Sequence, residues 1–186
     1  IVSYLGLVTG TLGKIGTDVL MLMQSEVCEV FEPFAHGRGA SSTMPQKRNP
    51  VSCELLIVAA KAVRQNVAMM LDGMLHDHER ASGPWQVEWL ALPQAFILSA
   101  GALGQARVML DGLIVDKARM LRNLELTNGM IVSEAVMMGL APHIGRQTAH
   151  DLVYDACRDA VTGNRPLYDV LAEMPAVTDK LSLAAI

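Results

Sequence analysis

Aromatic residues are scarce: three Phe, three Tyr and two Trp among 186 residues, 4% of the chain. Sheet-based cores lean on aromatic and β-branched side chains, whereas here Ala, Leu, Val and Met supply most of the 51% hydrophobic content. That balance favours closely packed helices. Cysteine is sparse too. Cys28, Cys53 and Cys157 are odd in number and form no Cys-x-x-Cys pair, which argues against a disulfide framework and suits a reducing, cytoplasmic setting. Basic runs are missing: the longest is Lys47-Arg48 and the formal net charge is −4, which argues against a nucleic-acid partner. There is no signal-peptide pattern, internal repeat or low-complexity segment. The chain starts Ile-Val-Ser inside an apolar periodic pattern and stops at Leu-Ala-Ala-Ile, residues 183–186, so it is expected to be a piece of a longer protein. A mean hydropathy of +0.29 predicts helix faces buried against partner subunits.

What is present is helical periodicity. Ile1, Leu5, Val8, Leu12, Ile15, Val19 and Leu22 recur at alternating spacings of four and three, a helix-bundle seam. Gly6, Gly10, Gly13 and Gly16 share that stretch, costing about 1 kcal/mol of helix propensity each but letting another helix approach closely. The pattern predicts one long helix ended by Pro33. A second helix is predicted over Val51–Asp72, with Pro50 at its entry and Leu55, Val58, Ala59 and Ala62 inward. Charged residues 76–80 and a Gly83-Pro84 turn then precede a third helix, from Trp89 or Pro93 to Leu113. Residues 89–106 carry no charge, so a membrane span has to be weighed; Pro93, Gln94, Gln105 and several small residues favour a bundle core instead. Beyond Asp111-Gly112 the predicted helices are shorter and more polar: 116–125, 131–140, 146–162 and 166–174. Their breaks fall at Asn128-Gly129, Pro142, Gly163-Asn164 and Pro175. The expectation is an all-α chain, with a long-helix bundle over residues 1–112 and a smaller C-terminal helical domain over residues 113–186.

Between the first two helices lies GRGASSTMPQKRNPVSCE, residues 37–54. It holds Gly37 and Gly39, then Ser41, Ser42 and Thr43, then Met44-Pro45, Lys47 and Asn49. Glycines let backbone approach a ligand, and proline fixes a helix entry. A plain surface connection can look like this, but three hydroxyls, an amine and an amide within nine residues are more than a connection needs. The stretch reads as a loop of donors that closes on an anion. Glu54, thirteen residues after Ser41, is by spacing alone as much a first-turn glutamate favoured by the helix dipole as a functional carboxylate. His76 and His78 could suggest a metal, but an i, i+2 pair on a helix diverges and lacks a third ligand, so no metal site is expected.

This loop closely resembles GSSxMPxKxNP, the signature of the fumarase, aspartase and adenylosuccinate lyase superfamily. Ser41, Ser42, Met44, Pro45, Lys47, Asn49 and Pro50 fall on it in register, while Ala40 stands where the family has glycine. The resemblance implies a homotetramer whose active sites draw on several subunits, no cofactor, and a polycarboxylate substrate deprotonated beside a carboxylate. The resulting aci-carboxylate needs fixed donors. Ser41 is then the acid–base hydroxyl, activated by nearby positive groups, and Glu54 orients a histidine from another segment. Ser42, Thr43, Met44, Lys47 and Asn49 bind substrate. None of His36, His76, His78, His143 or His150 stands in a context matching that histidine, which the family carries earlier in its sequence.

A second stretch, HERASGPWQVEW over residues 78–89, shares its Glu-Arg start with adenylosuccinate lyases. Where those place a serine and an arginine on the nucleotide phosphate, this chain has Trp85 and Trp89, which cannot clamp phosphate. Together with GMIVSEAVMMGLAPHIGRQ, residues 129–147, it resembles bacterial 3-carboxy-cis,cis-muconate cycloisomerases. The resemblance implies lactonisation of 3-carboxy-cis,cis-muconate to 4-carboxymuconolactone, with Arg80 a candidate for a substrate carboxylate. The alternatives are a carbon–nitrogen lyase acting on adenylosuccinate or another succinyl adduct, and a non-catalytic helical assembly protein; the presence of Ser41, Lys47, Asn49 and Glu54 weighs against the last.

Overall fold

The computed structural model describes residues 1–34, 39, 41–44 and 46–182. His36, Gly37, Ala40 and Pro45, named above, and residues 183–186 lie outside the described residues. In order, the elements are α1 (Val2–Leu22), β1 (Val30–Phe31), α2 (Val51–Asp72), α3 (Val87–Asp111), β2 (Ile114–Val115) and α4 (Lys117–Glu125). A 3-10 turn (Met130–Val132) then leads into α5 (Ser133–Ile144), α6 (Arg146–Gly163), α7 (Leu167–Ala172) and α8 (Pro175–Thr178). The fold is all-α. Among the described residues the strands form one two-residue antiparallel ladder, Val30 opposite Val115 and Phe31 opposite Ile114. Two compact units follow one another, Ile1–Lys117 and Ala118–Ile186.

In the first unit α1 and α3 both pack on α2 and on each other. The α1–α2 contact is made by glycine. A Cβ on Gly13 would lie 2.7 Å from the Ala60 Cβ, and one on Gly16 would lie 3.0 Å from the Cys53 carbonyl oxygen. No other residue allows that approach. Gly10, with nothing within 4 Å of its would-be Cβ, takes no part. Gly13→Leu should therefore overpack the crossing and cost about 1–3 kcal/mol, occasionally more. Gly10→Ala should instead gain up to about 1 kcal/mol in helix propensity. Thermal denaturation of the two variants, side by side, measures the difference.

The structure corrects several details. Leu12 and Val19 of the seam are buried, Leu5, Val8, Ile15 and Leu22 are half-buried, and Ile1 is exposed. The helix stops at Leu22, well before Pro33, because polar Gln24, Ser25 and Glu26 follow and Cys28 turns the chain with φ 54. Over Val51–Asp72 the inward face is Ser52, Cys53, Leu56, Ala59, Ala60, Val63 and Asn66. Leu55 and Val58, expected inward, are exposed at 51% and 62%. The buried stripe follows the residues that meet the α1 glycines, Cys53, Leu56 and Ala60, which lie on the other side of the helix from Leu55 and Val58. Residues 76–80 are not helical, so the diverging-helix argument for His76 and His78 does not apply as stated. The third helix begins at Val87, runs through Pro93 and ends at Asp111.

Helices α1 and α3 are long and apolar enough to cross a membrane by length and composition. Both nonetheless bury one face against α2, where Val2, Val63 and Ala95 form a common cluster. In the second unit, α5 and α6 form a hairpin turned by Gly145 at φ 83, with Pro142 inside α5 instead of breaking it. Asn164, left-handed at φ 48, ends α6. Leu140, Ala149, Ala156, Leu167, Leu171 and Val177 fill that unit's core.

Candidate functional site

The donors of the loop gather where α2 begins. Pro50 precedes the first turn, and Glu54, in that turn, is exposed. Lys47, Arg48, Asn49, Glu54, Gln24 and Gln46 line part of an open hollow of roughly 740 Å³ in the first unit, together with Met44 and the turn after α1. Among the described residues, two cations, three amides and one carboxylate face that space, so its chemistry suits an anion. Arg48 is partly tied down: its guanidinium sits 4.7 Å from the Phe31 ring centre and donates to the Glu32 carbonyl at 2.9 Å. Lys47 takes part in none of the salt bridges among the described residues.

Asn49 closes the base of the loop. Its backbone N–H and its side-chain amide both donate to the Gly39 carbonyl, at 2.9 and 3.0 Å. Gly39 has φ +66, and a Cβ there would lie 2.7 Å from the Asn49 carbonyl oxygen, so the residue must be glycine. The side-chain donor that the signature assigns to substrate is thus engaged within the loop in this arrangement. Ser41 is half-exposed and its Oγ accepts the Met44 N–H at 3.0 Å and the Thr43 N–H at 3.3 Å. Two amides aimed at one hydroxyl oxygen favour negative charge on it, which an acid–base serine requires. Ser42 and Thr43 are exposed. Ser41, Ser42 and Thr43 adjoin the hollow in sequence without lining it.

Arg80 is not brought to the hollow. Its guanidinium lies 4.8 Å from the Trp85 ring centre, and Trp85 meets Trp89 edge-on at 5.1 Å. It sits in a separate shallow depression formed by residues 77–82. Among the described residues, no cluster of three or more His, Cys, Asp or Glu side chains could hold a metal.

Sequence reasoning missed Glu32. It is 6% exposed, and its two carboxylate oxygens accept the backbone N–H groups of Ser52 at 3.0 Å and Cys53 at 2.8 Å. Burial pushes the Glu32 carboxyl up, but the bonds from Cys53 and Ser52 outweigh it, and the group sits below its ordinary range. The stabilisation is accordingly present above the usual carboxylate pKa and is lost as pH falls through the lowered one. Cys53 shows the opposite effect: burial first, then the Glu32 carboxylate, push its thiol up to about 12. It stays protonated at neutral pH and is no nucleophile. No local spacing announces Glu32, because its partners are 20 and 21 residues away.

Two family models match the chain: "Lyase" over residues 1–64 and "Adenylosuccinate lyase C-terminus" over residues 129–186. The chain is 52% identical over 180 residues to a 3-carboxy-cis,cis-muconate cycloisomerase of Pseudomonas aeruginosa, covering 97% of this chain and 39% of that protein. It is 51% identical over 179 residues to trans-aconitate decarboxylase 1 of Mycosarcoma maydis, covering 96% and 36%. The crystal structure of the 3-carboxy-cis,cis-muconate lactonizing enzyme from Pseudomonas putida superimposes with a TM-score of 0.84 at 46% identity, over 99% of this chain and 40% of that one. The chain therefore spans about two fifths of the length of the relatives it matches. Taken with the helical bundle and the donor loop at the head of α2, these matches place the chain in the fumarase, aspartase and adenylosuccinate lyase superfamily.

Proposed function

We propose that this chain works within a longer polypeptide as part of a 3-carboxy-cis,cis-muconate cycloisomerase. In that reaction a substrate carboxylate oxygen adds to a conjugated double bond. The electron pair moves into the adjoining carboxylate as an aci-carboxylate, and a proton is delivered to carbon, giving 4-carboxymuconolactone. Nothing is oxidised and no cofactor is called for. Ser41 Oγ–H delivers the proton and is left as an alkoxide held by the Met44 and Thr43 amides. Lys47 faces the developing dianion. Glu54 orients a histidine supplied by another segment.

One observation carries the choice of substrate. Trp85 and Trp89 are packed edge-to-face, with Arg80 stacked on the first, and the resemblance of residues 78–89 to adenylosuccinate lyases sets the two indoles where those enzymes carry a phosphate clamp. Two indoles and a stacked guanidinium form an apolar-walled surface instead. Large apolar side chains stand exposed on every long helix, among them Leu7, Val58, Leu90 and Ile97. We read these as faces covered by further copies in a homotetramer, an assembly free in the cytoplasm that binds neither membrane nor nucleic acid.

The second reading comes from the nearly equal likeness to a trans-aconitate decarboxylase. Parallel assays of the full-length protein with 3-carboxymuconate, adenylosuccinate and trans-aconitate decide among them. Turnover of 3-carboxymuconate is expected. A missing charge-assisted phosphate contact should leave adenylosuccinate cleavage on the order of a hundredfold or more weaker. Efficient adenylosuccinate cleavage, or decarboxylation of trans-aconitate as the main reaction, sinks the cycloisomerase assignment.

A further inference from the structure

We infer that Glu32 is a positioning residue of this site, the buried clamp that fixes the head of α2, and with it Lys47, Asn49 and Glu54, against the bundle. The inference rests on reading the hollow beside α2 as catalytic. Helix starts are usually capped by a neighbouring Ser, Thr, Asp or Asn. Here Pro50 stands at that position and makes no side-chain capping bond. The task passes to a carboxylate from the segment after α1, which takes the Ser52 and Cys53 amides on separate oxygens.

The same residue is tied in three further ways. Its carbonyl accepts the Arg48 guanidinium at 2.9 Å, so the last part of the loop is held from the same point as the helix it enters. The Ser52 hydroxyl bonds to its carboxylate and also accepts the Gln105 side chain of α3 at 2.8 Å. Glu32 itself directly follows β1, which pairs with β2 beyond α3. One buried side chain thus links the loop's exit, the first turn of α2, and α3. Lys47, Asn49 and Glu54 all lie within this clamped span or next to it, and they contact the hollow that Arg48 also lines.

A displaced donor loses more against a charge that develops in the transition state than against the substrate already bound. Loosening the clamp should therefore appear chiefly in kcat. A misplacement of about 1 Å can cost on the order of a hundredfold.

The test uses the full-length protein, with whichever of the three substrates above the wild type turns over. Glu32→Ala should lower kcat about a hundredfold and Glu32→Gln, which keeps the shape and one accepting oxygen, about tenfold, with KM within about threefold for both. Amide exchange at Ser52 and Cys53 should speed up at least about tenfold in Glu32→Ala, on local opening at the helix start. Val63→Ala serves as the control for stability alone: it removes a fully buried side chain further along α2 and should leave kcat within about twofold. If Glu32→Ala fails to assemble, Glu32→Gln decides by itself. Faster amide exchange with kcat unchanged makes Glu32 a helix cap only and overturns the inference. So does a kcat loss equalled by Val63→Ala. A wild type that turns over none of the three substrates refutes the catalytic reading itself, and Glu32 is then only a cap, whatever the exchange rates show.

Discussion

Ser41→Ala in the full-length protein is expected to lower kcat about 10³-fold, within the range that a positioned acid–base group contributes. Fold and assembly should be unaffected. Ser41 is half-exposed, and among the described residues its hydroxyl bonds to Thr43 and Met44, both in its own loop. Loss of those local, solvent-facing bonds should cost no more than about 1 kcal/mol. The amides that stabilise an alkoxide would remain in Ser41→Ala with nothing to stabilise. Steady-state kinetics and thermal denaturation of the same preparation separate the two effects. A variant with near-wild-type kcat removes Ser41 from the chemistry, and one that unfolds shows the hydroxyl to be structural.

How much of this was legible in the sequence depends on how local each cause is. Helix α2 could be bounded from sequence because Pro50 marks its entry and a long apolar stretch follows. The loop was conspicuous because its donors crowd into nine consecutive residues. The face that α2 buries was misjudged by the bulk of Leu55 and Val58. Contact with Gly13 and Gly16 of α1 turns the Cys53, Leu56 and Ala60 side of the helix inward, and only the packed pair reveals it. Asn49 was recognised as a donor, but its engagement with the Gly39 carbonyl depends on a left-handed glycine ten residues earlier. Arg80 joins the site only by likeness to relatives; its stacking on Trp85, five positions along the chain, follows from the fold. Glu32 was invisible for the opposite reason: its function lies wholly in partners that folding brings to it.

Lys47→Met should reduce kcat by about 10²–10³, the loss seen when one preorganised donor to a developing oxyanion is removed. Methionine keeps most of the stem's length and apolar packing while removing the charge. Lys47 is exposed and contributes to no salt bridge among the described residues, so stability should hardly change. Lys47→Arg should recover activity only in part, because a planar fork does not replace a compact ammonium at a site fitted to it. Asn49→Ala is the instructive contrast. Its amide closes the loop base on Gly39, so that variant should lose loop order together with turnover, visible as faster proteolysis within residues 39–49. If Lys47→Met kept near-wild-type kcat, the developing charge would have to be met elsewhere. Arg48, on the same hollow but tied to Glu32 and Phe31, would then be the next cation to test.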